Sequence, residues 1–173
     1  MRRREFITLL CSVGAWPLAA SAQQKPVIGF LNSGSPDAYP DRVIAFHQGL
    51  RQLGYIEGEN VVVDYRWALG EYDRLPAFAA ELVKQRVSVL VATGGEPAAL
   101  AAKSATSTIP IVFAIGGDPI KLGLVATYNR PGGNATGANS RFQTNRKTLI
   151  RRCFRILGIK TTNPILPHLH EGT

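Results

Sequence analysis

A chain of 173 residues with a formal charge of +8 and two cysteines has room for one ordinary domain. The charge suggests a nucleic-acid partner until it is divided along the chain: residues 23–138 carry ten basic and ten acidic side chains, and the surplus sits in residues 1–22 and 139–173. The body that would fold has no basic excess to meet a phosphate backbone, so no nucleic-acid partner is expected.

Arg2, Arg3 and Arg4 precede an apolar stretch, Phe6 to Ala20, that is too short to span a bilayer and leads into the small-x-small site Ala20-Ser21-Ala22. Trp16-Pro17 would break an ordinary helix at this point. Residues 1–22 therefore read as a signal peptide removed before Gln23, which places the mature protein in the periplasm. The run Arg3-Arg4-Glu5-Phe6-Ile7 resembles the twin-arginine export signal. Cys11 follows Thr8-Leu9-Leu10, which lacks the small residue of lipoprotein processing, so no lipid anchor is expected. The mature chain keeps only Cys153, which excludes an internal disulfide.

Val27 to Asn32 is an apolar, β-branched run bounded by Pro26 and Ser33-Gly34-Ser35-Pro36, and reads as a strand buried on both faces. Behind Pro40-Asp41, the residues Val43, Phe46, Leu50 and Leu53 recur at helical spacing until Gly54. The pattern repeats with Val61 to Arg66 as a strand, then Asp73 as N-cap of a helix carrying Leu75, Phe78, Ala79, Leu82 and Val83 on one stripe. It repeats with Val87 to Ala92, the turn Thr93-Gly94-Gly95-Glu96 and an alanine-rich helix from Pro97 to Thr106. A fourth unit has Ile111 to Ala114, then Gly116-Gly117-Asp118-Pro119 and a short helix to about Ala126.

Strands that are continuous apolar runs, alternating with helices, specify a doubly wound parallel sheet, an α/β fold in three layers. Residues 129–134 read as a loop, and beyond residue 138 the chain becomes basic and patternless. Within that tail Leu149, Ile150, Cys153, Phe154 and Leu157 could share one face of a helix near 146–157, with arginines elsewhere. Such a helix suits a membrane or an acidic partner, but it is short and uncapped, and the spacing fits better a coincidental pattern in a tail that packs weakly or not at all.

Ligands of a doubly wound sheet bind where strands end and helices begin. Three loops there share a chemistry: Asn32 and Ser33 in the first, Thr93, Gly94 and Gly95 in the second, Gly117 and Asp118 in the third. Glycine admits a ligand to the backbone, hydroxyls hydrogen-bond it, and the N–H groups of a helix start favour a carboxylate. Any one loop could be a tight turn alone; three together point to a small-molecule site. Tyr39, Trp67 and Tyr72 could wall such a site or pack as core and rim. Catalysis lacks its parts: the sequence has no phosphate loop or dinucleotide fingerprint, His47 is the only histidine of the body, and His168 and His170 have no zinc-ligand partners nearby. Asp118 is a single carboxylate, not an acid-base pair. No enzyme activity, cofactor or metal is expected.

The segments MRRREFITLL with WPLAASAQQ, PVIGFLNSGSPDAYPDRVIAFHQGLRQLGYIEGENVVVDYRWALGEYDRLPAFAAELV, VLVATGGEPAALAAKSATSTIPIVFAIGGDPIKLGLV and NRPGGNATG resemble ABC-transporter substrate-binding proteins of the tryptophan/tyrosine-binding group, from Met1 to about Ala138. The resemblance implies a periplasmic-binding-protein type I lobe, an amino acid or similar ligand held between two lobes, and a membrane permease as partner. By position it implies first-lobe contacts from Asn32, Ser33, Thr93, Gly94, Gly95, Gly117 and Asp118. Residues 23–138 would then be the N-terminal lobe, and residues 139–173 a tail of the composition that a frameshift or early stop leaves. Two other readings stay open on fold class: an effector domain of a cytoplasmic regulator, and a fragment of a flavodoxin-like enzyme. The export reading is tested by N-terminal sequencing of the protein from a periplasmic extract, which should begin at Gln23. Recovery of only the full-length chain from cytosol would overturn it.

Overall fold

The first strand organises the molecule because both of its faces are apolar. In the computed structural model, which describes residues 25–128 and 131–139, β1 (Val27–Asn32) is hydrogen-bonded on both sides to parallel neighbours. Alternate side chains of a strand point oppositely. Ile28 and Phe30 therefore enter one core and Leu31 the other. Helix α1 (Pro40–Gln52) covers the first face with Phe46 and Leu50. Helices α2 (Leu75–Lys84) and α3 (Glu96–Ala105) cover the second with Leu75, Ala79, Leu82, Ala98, Ala99 and Ala102, all essentially buried. The short side chains of α3 let a helix lie close to the strands.

The remaining strands are β2 (Val62–Trp67), β3 (Val89–Thr93), β4 (Ile111–Ile115) and β5 (Ala135–Asn139). All pair in parallel, in the order β2-β1-β3-β4-β5. The sequence is thus an α/β, doubly wound, three-layer sheet, as its apolar runs imply. Phe30 is the centre of the α1-side layer, with ring contacts to Phe46, Tyr65 and Trp67 at 5.2–5.4 Å. Trp67 is consequently part of the packing, while Tyr72 is 58% exposed.

Three local expectations change. Asp73 does not cap α2: it lies in a single 3-10 turn, Tyr72–Arg74, that runs directly into the helix, and no side chain caps that start. A capping side chain needs a backbone that has not yet become helical, and here it already has. The fourth unit has no helix. After Asp118 the chain makes one turn, with the Leu122 N–H on the Asp118 carbonyl and the Leu124 N–H on that of Pro119, and Gly123 at φ +69° ends it. The apolar residues Leu124 and Val125 are buried from that turn, not from a helix stripe.

The third change is a fifth strand, β5, where the sequence reading has the end of the lobe. Ala135–Asn139 has no apolar run to announce it. It forms because asparagines fix both ends. Asn134 donates to the carbonyls of Thr106 and Ile109 and accepts from Lys103, and Asn139 donates to the Gly117 carbonyl at 2.6 Å. Between them Gly137 lies against Phe113 so closely that a methyl group would collide with both its ring and its carbonyl. The tail helix near 146–157 and the leader lie outside the described residues.

Gly137→Ala should therefore destabilise the domain by roughly 1–3 kcal/mol, since Phe113 is buried and cannot yield. Gly133→Ala, whose methyl would meet only the end of Lys103, should cost much less. Urea denaturation of both variants checks this, and equal stabilities would contradict the packing of β5 on Phe113.

Candidate ligand site at the carboxyl edge of the sheet

At the carboxyl edge β1 and β3 end in register, Asn32 opposite Thr93. The Asn32 amide works in both directions: Nδ2 donates to Thr93 Oγ1 at 2.8 Å, and Oδ1 accepts the Gly34 N–H at 2.7 Å. At 1% exposure the residue has no water to fall back on, so each half of the amide needs a protein partner. Ser33, also buried, donates its hydroxyl to the Gly94 carbonyl at 2.5 Å. The two loops meet at Gly94, whose φ is +87°. A Cβ there would lie 2.5 Å from Asn32 Oδ1 and 2.8 Å from the Ser33 nitrogen. Both the conformation and the space require glycine. Gly95, at φ +121°, then turns the chain into α3, which starts without a side-chain cap.

The third loop joins through Glu96, the first residue of α3. Its Oε1 accepts the Gly117 N–H at 2.7 Å, while the Gly117 carbonyl accepts from Asn139. Gly117 is thereby fixed from both sides, and a Cβ on it would sit 2.9 Å from the Glu96 carboxylate. A further wall comes from the segment after β2: the Ala68, Leu69 and Gly70 N–H groups donate to the carbonyls of Asn32, Gly34 and Ser33 at 2.8–3.0 Å. Asn32, Ser33, Thr93, Gly94 and Gly117 thus belong to one hydrogen-bonded edge, with Gly95 beside them in the turn into α3.

Asp118 is placed at the same edge but is partly committed. Its Oδ1 accepts the Ile120 N–H at 2.9 Å and the Tyr128 hydroxyl at 3.0 Å. The Ile120 N–H is the main reason its carboxyl titrates below its ordinary value of 3.8. Its own hydrogen bond to Asp118 holds the Tyr128 hydroxyl protonated above its usual range. Asp118 is therefore first of all the residue that closes its own turn.

The start of α3 is not an empty anion site. Glu96 already sets a carboxylate at the positive end of that helix, so the local field favours a second anion less than an empty N-terminus would. Glu96, Asn139 and the Leu69-Gly70 segment are the edge residues that sequence reasoning passes over. Glu96 is visible as an acid one position after a double glycine. Asn139 would follow from symmetry with Asn32, had β5 been recognised.

His47 has partners, but in another place. Its Nε2 lies 3.0 Å from the Tyr65 hydroxyl, which donates to Glu57 at 3.2 Å, and its Nδ1 lies 3.4 Å from the same carboxylate. This group links α1 to the middle of β2, away from the strand ends. Burial, and then the Glu57 charge, push the Tyr65 hydroxyl far above its ordinary range, so it stays protonated. No group of three or more metal-binding side chains occurs among the described residues, and no helix among them is long and apolar enough to cross a membrane.

The coupling between the loops is measurable by a double-mutant cycle of Asn32→Ala and Thr93→Val. Because both changes break one part-buried contact, their effects on unfolding free energy should fall short of additivity by about 0.5–3 kcal/mol. Additive effects would mean that the first two loops are energetically separate.

The sequence and the fold both match known proteins. The family described as ABC transporter substrate binding protein matches residues 27–154, past Ala138. A curated tyrosine-binding protein of Clostridioides difficile (strain R20291) is 29% identical over 125 residues, which are 69% of this chain and 36% of the relative. The ligand-free, open structure of a substrate binding protein with adhesive properties from Clostridium difficile superposes with a TM-score of 0.63 at 27% identity, over 78% of this chain and 44% of that one. The ABC domain from Streptococcus pneumonia in complex with L-Trp gives 0.61 at 29% identity, over 66% and 38%. A conserved domain protein from Vibrio cholerae gives 0.62 at 33%, over 67% and 39%. The chain thus spans less than half the length of each of these relatives. With the match covering most of its length, the chain belongs to the ABC transporter substrate-binding protein family.

Proposed function

We propose that the carboxyl edge of this lobe is one wall of an amino-acid site in an exported receptor that delivers its ligand to an ABC permease, without chemical change to the ligand. The observation that carries this is the continuity of the edge. Asn32–Thr93, Ser33–Gly94 and Glu96–Gly117 contacts join three separate strand ends into one rigid surface. Rigidity there lowers the entropic cost of holding a small polar molecule. The residues expected to meet the ligand are Asn32, Ser33, Thr93, Gly94, Gly95, Gly117 and Asp118, through backbone groups and through what their side chains leave unused. Tyrosine and tryptophan are the first ligands to try, because similar proteins are described as binding tyrosine or as holding L-Trp.

A pocket that buries most of a small ligand needs walls on opposite sides. This edge supplies one. If a receptor with two walls binds at about micromolar, near −8 kcal/mol, half of that free energy corresponds to roughly millimolar. Calorimetric titration of the purified chain with a panel of L-amino acids should therefore give dissociation constants near millimolar, with the aromatic members tightest. Micromolar affinity would overturn the one-wall account, and no heat from any amino acid at tens of millimolar would overturn the assignment of ligand class.

A further inference from the structure

An amino acid brings a carboxylate to this edge, and the edge as described so far offers that group little. Glu96 occupies the start of α3, and Asp118 adds a second negative charge on the third loop. Most basic residues of the described chain are engaged elsewhere. Arg66 pairs with Asp64 and Glu81, Arg74 with Glu71, Lys103 bonds Asn134, Lys25 bonds the Gly58 carbonyl, and the charge of Lys121 acts on Asp118 beside it. Arg51 and Lys84 lie in the last turns of α1 and α2, where a cation complements the helix dipole.

Arg42 differs on each count. It lies in the first turn of α1, the end where a cation is disfavoured, so helix stability does not explain it. It has no carboxylate partner among the described residues. Its guanidinium carbon stands 4.4 Å from the centroid of the Tyr39 ring. That ring in turn lies over Gly34, where an added Cβ would come within 2.5 Å of it. Gly34, Tyr39 and Arg42 are therefore stacked in sequence, starting from the loop that holds Asn32 and Ser33. Stacking uses the flat face of a guanidinium and leaves its in-plane N–H groups free, the arrangement that receives a carboxylate through two parallel hydrogen bonds.

Building on the reading above, we propose that Arg42, held in place by its stack on Tyr39, receives the carboxylate of the amino-acid ligand at the first loop. Asp37 in the same loop and Asp41 in the first turn of α1 offset the charge of Arg42 at longer range, so it acts through its own hydrogen bonds and not through a net positive charge of this end.

The test compares L-tryptophan with its methyl ester, which keeps the ammonium and removes the negative charge. Backbone amide shifts are followed at mildly acidic pH in the natural chain, in Arg42→Gln, in Arg42→Lys and in Arg74→Gln. Arg74 is the matched control, a guanidinium 5.0 Å from the Phe78 ring that already has a carboxylate partner. The natural chain and Arg74→Gln should bind the acid about fivefold to tenfold more tightly than the ester. Arg42→Gln should bind both alike, at the affinity of the ester, and Arg42→Lys should keep part of the preference. A preference unchanged in a folded Arg42→Gln, or absent from the natural chain while both compounds shift the Asn32–Gly34 and Gly94–Gly95 amides, would overturn the role of Arg42 but leave the site. Absence of shifts at those amides with either compound would instead overturn the site itself.

Discussion

Gly94 is where two loops of the sheet edge come within contact distance, and most of the candidate site depends on that approach. A side chain there would strike the Asn32 amide and the Ser33 backbone, and its left-handed φ disfavours any residue with a Cβ. Once the loops are this close, the buried Asn32 amide finds Thr93 on one side and Gly34 on the other, and Ser33 finds the Gly94 carbonyl. Each bond is modest in net free energy, about 1 kcal/mol. Each is also hard to replace, because the Asn32 and Ser33 side chains are buried away from water. The site is thus held by an absence of volume at one position and by full use of polar groups around it.

The parallel sheet is legible in the sequence because its strands are buried on both faces. Val27–Asn32 is an unbroken apolar run whose ends coincide with those of β1, and the spacing of Leu75, Ala79 and Leu82 alone marks the buried stripe of α2. The same logic fails where the fold does not rest on apolar side chains. β5 is built of small residues that fit against Phe113 between two asparagine clamps, and nothing in Ala135–Asn139 has strand periodicity. The turn after Asp118 carries apolar residues at spacings that suit a helix, yet Gly123 and the Asp118 side chain close it after one turn. At the edge, five of the seven residues that residue type picks out share one hydrogen-bonded network. Residue type cannot say that Glu96 bridges two loops, because that depends on how far α3 and the third loop stand apart.

The body of the chain is neutral as a whole, and both signs are mixed along the edge: Asp37 and Asp41 flank Arg42, and Lys121 stands beside Asp118. A neutral lobe suits a zwitterion better than an anion, since it sets up no net field at longer range. Tyr39 gives Arg42 a fixed platform, so little side-chain entropy need be lost when a carboxylate arrives.

If the three strand-end loops form one ligand surface, a crystal structure of this chain grown with L-tryptophan at tens of millimolar will show density for the amino acid against Ser33–Gly34 and Gly94–Gly95, within hydrogen-bond distance of backbone groups from both loops. Well-ordered tryptophan bound away from this edge, with these loops bare, would contradict it.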